Sequence, residues 1–265
     1  MPIPTELLAE QRGATLLLTL SDPSTRNALS REVYGRGAEL MRQAAQDPAV
    51  RAVILCGAGD TFCAGGNLQR ILGVRGMGPE QGKAYQAESI NGLKAWVMSL
   101  VECPKPVIAA VEGFAAGAGA SLALACDLLV AAEDAKLVMS YSRIGFSPDG
   151  GGSWQLARFL PRQLALKALW LATPLGASEL QAHGLVSQVC AKGQAVDEAL
   201  KLAEQLGQLA PNALASVKKL AQSALRDDLA QHLDHEREHF IENLFHANGQ
   251  EGPSAFLEKR KPTFR

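Results

Sequence analysis

Gly113-Phe-Ala-Ala-Gly-Ala-Gly-Ala-Ser-Leu-Ala-Leu-Ala-Cys-Asp127 follows an apolar run, Pro106-Val-Ile-Ala-Ala-Val111, and carries one charge, at its far end. The apolar run suits a buried strand. The small residues after it break the strand and open an Ala/Leu helix. Such a junction leaves backbone N–H groups at a helix N-terminus with no bulky side chain over them, the local chemistry of an anion or oxyanion site. Donors of this kind act on developing negative charge and need no particular side chain.

The same pattern occurs once more, upstream. Arg51-Ala-Val-Ile-Leu-Cys56 leads through Gly57 to Phe62-Cys-Ala-Gly-Gly66, as the strand ending at Val111 leads through Gly113 to Phe114-Ala-Ala-Gly-Ala118. Two readings stand: two ordinary βα turns with tight helix–sheet packing, or two turns at neighbouring strand ends that aim N–H groups at one point.

Further out, Ala14–Leu20 reads as a strand. A helix runs to about Ala45 with Ser30 at its N-cap, and Asp47-Pro48 stops it. Gly73–Gly82, with four glycines and a proline, reads as a mobile loop before a helix from about Tyr85 to Val101. Leu128–Ala132 and Leu137–Met139 are short strands. Beyond Gly152 the pattern is helical: Gln163–Leu171, Ser178–His183, Val196–Leu209, Ala213–Leu225 and Leu229–His246. A strand-rich first half and a helix-rich second half give an α/β fold with a helical C-terminal region.

The 265 residues are 47% hydrophobic, enough for a sizeable core. With 26 basic against 27 acidic residues there is no general basic surface for nucleic acid or an anionic membrane. Five scattered cysteines without a CxxC pair suit a reducing compartment, and no signal peptide or membrane-length apolar run is visible. The expectation is a soluble cytoplasmic protein.

No dinucleotide fingerprint, P-loop or GxSxG elbow fits. His235-Glu-Arg-Glu-His239 matches HExxH, but its helix is charged on all sides, and it reads as a solvated or interface helix rather than a metal site. Lys94 and Arg143 read as surface charges with apolar stems, and Cys63 as a small packed thiol. In Ser147-Pro-Asp-Gly-Gly-Gly-Ser-Trp154, Asp149 is either a helix cap or a carboxylate held by a tight turn beside a pocket.

Taken together, Asp60–Leu68, Lys105–Gly119, Cys126-Asp127 and Glu251–Arg260 resemble the crotonase, or enoyl-CoA hydratase/isomerase, superfamily over nearly the whole chain. The resemblance implies a spiral of ββα units. Residues 1–200 would form the acyl-CoA-binding core and 201–265 a helical region that builds trimers or hexamers. It implies an acyl-CoA thioester substrate, with no cofactor beyond the CoA the substrate carries, and no metal. It puts the backbone N–H groups of Gly66 and Ala118 on the thioester carbonyl. Ala64, Gly65, Asn67, Leu68, Gly117, Ser121 and Tyr141 would line the substrate, with Ala64 and Leu68 along the CoA. Phe256 and Lys259 would reach a neighbouring subunit's CoA.

The departures carry information. Hydratases of this superfamily use two glutamates, and the matching positions here are Ser121 and Tyr141. Neither ionises usefully near neutrality, and hydration needs both a base for water and an acid for carbon. Asn67 stands where an acidic residue is common. The segment Pro148-Asp149-Gly-Gly-Gly-Ser-Trp154 looks most like the 1,2-epoxyphenylacetyl-CoA isomerases, which use an aspartate there. The dehalogenases that also do so need a histidine base, and the first histidine here is His183. The expectation is an acyl-CoA isomerase with Asp149 as its one acid/base. A weak hydratase and a non-catalytic thioester-binding homologue are the alternatives.

Overall fold

A computed structural model describes residues 5–265. The chain runs β1 (Glu6–Arg12), β2 (Thr15–Ser21), α1 (Arg31–Gln46), β3 (Ala52–Gly57), α2 (Leu68–Val74), α3 (Pro79–Glu102), β4 (Val107–Val111), β5 (Phe114–Ala116) and α4 (Ala118–Ala125). It continues through β6 (Leu128–Ala132), β7 (Lys136–Val138), α5 (Gly152–Phe159), α6 (Arg162–Leu171), β8 (Leu175–Gly176), α7 (Ala177–Ala182), β9 (Gln188–Cys190) and α8 (Ala195–Gly207). Three helices follow: α9 (Pro211–Ser223), α10 (Leu229–Phe245) and α11 (Ala247–Leu257).

The main sheet has the order β1-β2-β3-β4-β6-β9. Only β1, hairpinned to β2, runs antiparallel; the other pairings are parallel. β4 is buried along its whole length, as a parallel strand covered on both faces must be. Alternate residues serve the two faces. Leu17, Ile54, Ile108 and Val130 meet Ala195, Ala199 and Ala203 of α8, whose small side chains at every fourth position let the helix lie close to the sheet. Val53, Leu55, Val107 and Ala109 point the other way, into the larger core with Leu40, Leu93, Trp96 and Leu122. A second, three-stranded sheet, β5-β7-β8, branches off just after β4.

The Gly73–Gly82 segment is helical, not a loop. Gly73 lies in the last turn of α2, a short 3-10 turn spans Arg75–Met77, and Pro79 opens α3. Gly82 is buried in α3, where a Cβ would fall 2.8 Å from the Val74 carbonyl oxygen. The glycine there serves close packing of α3 on α2. Ser30 does hold the N-cap position of α1, but its hydroxyl makes no capping bond. α11 lies within 201–265, the region expected to be helical, and His246 caps it, its Nδ1 accepting the Asn248 N–H at 3.1 Å.

Candidate active site

The two similar turns lie side by side. After β3, the Cys63 N–H donates to the Phe114 carbonyl at 3.0 Å, and the Ala116 N–H donates to the Cys63 carbonyl at 2.8 Å. These two bonds make a parallel bridge between Cys63 and Ala115. On its other side the first turn is stitched to Leu29, whose N–H donates to Gly65 (2.7 Å) and whose carbonyl accepts from Asn67 (3.1 Å). In that bridge the residue between, Gly66, turns its own N–H away from Leu29. The Gly66 N–H donates to no group among the described residues.

Ala118 is the first residue of α4, so its N–H has no partner within the helix. It too donates to nothing among the described residues. Gly117 before it adopts φ 51°, closed to most side chains, which turns the strand sharply into the helix. A Cβ on Gly65 (φ 90°) would stand 3.6 Å from the Ala118 nitrogen, which shows how closely the two turns approach. The helix behind is buried throughout, so its N-terminal dipole acts in a poorly solvated setting.

Asn27 braces the first turn from below. It is fully buried at φ 59°, and its side-chain amide donates to the carbonyls of Thr61 (2.7 Å) and Ala58 (3.0 Å) while its oxygen accepts the Asp22 N–H (2.9 Å). The Cys63 thiol donates to the Asn27 carbonyl at 3.1 Å and accepts the Gly65 N–H at 3.3 Å. Burial pushes that thiol up to about 12, so Cys63 is an inert packing group. Asn67 caps α2, its Oδ1 accepting the Arg70 N–H at 3.1 Å, so the uncharged residue still supports the turn. Asn27 was not among the expected site residues, because its partners Ala58 and Thr61 lie more than 30 residues away in the chain.

Asp149 is not a helix cap; Gly151 holds that position for α5. The Asp149 main-chain carbonyl accepts the Ser121 hydroxyl at 2.9 Å, and its Oδ1 accepts the Tyr141 hydroxyl at 2.5 Å. Two of the three glycines after it lie close against Ser121 of α4. A Cβ on Gly150 would stand 3.0 Å from Ser121 Cβ, and one on Gly152 would stand 2.7 Å from Ser121 Oγ. Burial raises the Asp149 carboxyl above the usual carboxylate range, opposed by the Tyr141 hydrogen bond. Burial, then the Asp149 charge, pushes the Tyr141 phenol upward, so it stays protonated as a donor. Tyr34, on the buried face of α1, is raised by burial and then by the same Asp149 charge. A lone tyrosine in the apolar stripe of that helix was the sequence signal for it.

The structure therefore brings together Gly65, Gly66, Gly117, Ala118, Ser121, Tyr141 and Asp149. A Cβ on Gly117 would stand 3.7 Å from the Tyr141 hydroxyl, which links the carboxylate to the mouth of α4. Ala64 and Leu68 are exposed beside the first turn. Phe256 and Lys259 lie at the end of α11, exposed, and no hydrogen bond among the described residues ties them to the others. In the HExxH segment, His235 Nδ1 lies 2.9 Å from Asp227 and His239 Nδ1 lies 3.8 Å from Glu242.

Chemically, the arrangement offers two free N–H groups at a helix mouth and one half-buried carboxylate with a raised pKa. It has no second carboxylate at Ser121 or Tyr141.

Residues 10–265 match the enoyl-CoA hydratase/isomerase family model. The chain is 37% identical to the 1,2-epoxyphenylacetyl-CoA isomerase of Escherichia coli K12 over 97% of both chains. It is 31% identical to the 2,3-dehydroadipyl-CoA hydratase of the same organism over 98% of both. Among solved structures, an enoyl-CoA hydratase from Polaromonas sp. JS666 is 52% identical, with a TM-score of 0.94 over 98% of this chain and 99% of that one. The match from residue 10 to residue 265, the full-length relatives and the shared fold together make this chain a member of the enoyl-CoA hydratase/isomerase family, with the crotonase fold.

Proposed function

We propose that the protein is an acyl-CoA isomerase in which Asp149 is the single acid/base. The observation that carries this reading is the setting of Asp149. It is half-buried, raised in pKa and tied to Tyr141 and Ser121, the two residues that the family resemblance matches to the glutamates of a hydratase. The isomerase among the relatives supports the same reading.

In the mechanism, the thioester carbonyl lies between the N–H groups of Gly66 and Ala118. Asp149 removes a proton from C2 of a 3-enoyl thioester, and the electron pair moves onto the carbonyl oxygen as a dienolate. The two donors and the α4 dipole stabilise that oxygen; loss of one such donor in other enzymes raises the barrier by about 3 kcal/mol. Asp149 then returns the proton at C4, giving the 2-enoyl thioester. One carboxylate suffices because the proton shift regenerates it. For an aromatic epoxide such as 1,2-epoxyphenylacetyl-CoA, the same carboxylate steers ring opening by position and charge. The catalytic set is Asp149, Gly66 and Ala118. Ala64, Gly65, Asn67, Leu68, Gly117, Ser121 and Tyr141 line the thioester, and Phe256 and Lys259 complete a neighbouring subunit's site.

The unit is a trimer or a pair of trimers in the cytoplasm. Exposed Leu229, Leu233, Phe240, Leu244 and Phe245 on α10, and a groove between α9 and α10, give the apolar surface such an assembly buries.

The test is a panel of 3-enoyl and aromatic acyl-CoA substrates given to wild-type protein and to Asp149→Asn. The expected result is isomerisation by the wild type, lost in the variant while CoA-thioester binding survives. Full activity in the variant removes Asp149 from the mechanism. Rapid hydration of crotonyl-CoA by the wild type restores the hydratase reading, and thioester binding with no turnover of any substrate makes the chain a non-catalytic binder.

A further inference from the structure

The two oxygens of the Asp149 carboxylate have unlike surroundings. Oδ1 accepts the Tyr141 hydroxyl at 2.5 Å, whereas Oδ2 accepts from no group among the described residues. Tyr141 is itself immobilised. It is buried in the helical turn Ser140–Ile144, its carbonyl accepts the Phe146 N–H at 3.0 Å, and its ring lies over Gly117, where a Cβ would stand 3.6 Å from Cζ. The Ser121 hydroxyl holds the Asp149 main chain from the other side. One residue is thus fixed at both its backbone and one carboxylate oxygen by two hydroxyls.

Resting on the isomerase reading above, we propose that Tyr141 is a positioning residue for the proton shift: it fixes the carboxylate through Oδ1 and leaves Oδ2 as the oxygen that exchanges the proton with the acyl chain. A freely rotating carboxylate presents either oxygen at variable angles. A tethered one sweeps a fixed arc, which suits a base that must serve two carbons of one chain in turn. The phenol also donates to the charged form and so opposes the rise in basicity that burial imposes.

The sign of the effect follows. Removal of the hydroxyl takes a donor from the carboxylate, so Asp149 protonates at higher pH and its basic form is lost earlier on acidification. Tyr141→Phe is expected to move the acidic limb of kcat/KM for 3-hexenoyl-CoA upward by about one pH unit, the size of one hydrogen bond to a charged group. With the tether gone, kcat falls about tenfold while KM stays within about twofold. A packing role alone leaves the limb where it is. Protein with 3-fluorotyrosine at position 141 keeps the shape of the side chain and makes a stronger donor, so its limb moves downward; this arm stands even if the Phe variant does not fold.

An unmoved limb in the folded Phe variant, or in the fluorotyrosine protein, overturns the proposal. Asp149→Asn separates the two levels. If that variant isomerises normally, Asp149 is not the base, and the one-carboxylate mechanism on which this proposal rests fails. If it is inactive and the Tyr141 limb is unmoved, only the positioning role fails.

Discussion

Cys63 and Gly119 are packed so tightly that a Cβ on Gly119 would fall 2.6 Å from Cys63 Cβ and 2.8 Å from the Cys63 carbonyl oxygen. That contact presses the first glycine turn against the first helical turn of α4, and it sets the separation of the Gly66 and Ala118 N–H groups. Because one side of the contact is backbone, no rotamer change relieves it. Gly119→Ala is expected to destabilise the fold by about 1–3 kcal/mol, as overpacking does. Activity is expected to fall more steeply than stability, by about a hundredfold, because the donors move apart. Thermal unfolding and kcat on the same preparation check this. A variant that loses stability but keeps kcat disconnects the contact from the chemistry.

Asn27 separates hydrogen bonding from backbone conformation. Asn27→Ala strips donors from the Thr61 and Ala58 carbonyls and places alanine at φ 59°. The expected loss is about 3 kcal/mol, combining unsatisfied buried groups with left-handed strain. Asn27→Gly removes the same donors without the strain and should recover about 1 kcal/mol. Denaturant unfolding of both variants measures the difference; equal stabilities would show that the φ value carries no cost here.

Asp127 and Lys218 join α9 to the base of β4. Asp127 Oδ2 accepts the Lys218 ammonium and the Val107 N–H, each at 2.8 Å. Burial raises the Asp127 carboxyl, and Lys218 opposes the rise. A raised acid favours folding below its unfolded pKa, and that contribution is lost as pH climbs through the folded value. Lys218→Met should therefore cost about 2–3 kcal/mol at pH 8 and less at pH 4, as the stranded carboxyl takes up its proton. Adding Asp127→Asn should restore most of the loss at pH 8. A pH-independent loss would mean that the lysine stem, not its charge, matters.

The same sign applies to Asp149, whose carboxyl is also raised by burial. Where it is ionised, above its raised folded value, it works against folding. Asp149→Asn, which keeps an oxygen for the Tyr141 hydroxyl, should gain about 1 kcal/mol, or about 2–4 °C in Tm, at pH 8. The gain should shrink as pH falls toward 4 and the native carboxyl, raised by burial, takes up its proton. Calorimetry at the two pH values tests it, and a variant less stable than wild type at pH 8 would refute it.

Much of this architecture was visible in the residues. The run Pro106–Asp127 and its echo at Ala52–Gly66 specified two strands and two glycine turns, while their adjacency stayed one of two open readings until the bridge between Cys63 and Ala115 was seen. Gly73–Gly82 misled, since four glycines and a proline resemble a loop until Gly82 is seen against the Val74 carbonyl. The short strand β5 was hidden for another reason: three residues with one exposed aromatic have no periodicity to read, and only pairing with β7 makes them a strand. At the site, Asp149 and Ser121 were identifiable as residue types at telling positions. Their mutual contact was not, because it depends on where Gly150 and Gly152 let the turn settle. Asn27 and Tyr34 were missed because each acts through segments remote in the chain.

The packing of Gly150 and Gly152 onto Ser121 also bears on how this chain can change. The turn approaches the Ser121 side chain to within a Cβ's width at two points, so a glutamate at 121 has no room while the turn stays where it is. Conversely, shifting the turn releases Asp149 from both hydroxyls before any second carboxylate is in place. Position 121 and the Gly150–Gly152 turn are thus coupled: a longer side chain at one calls for a change at the other.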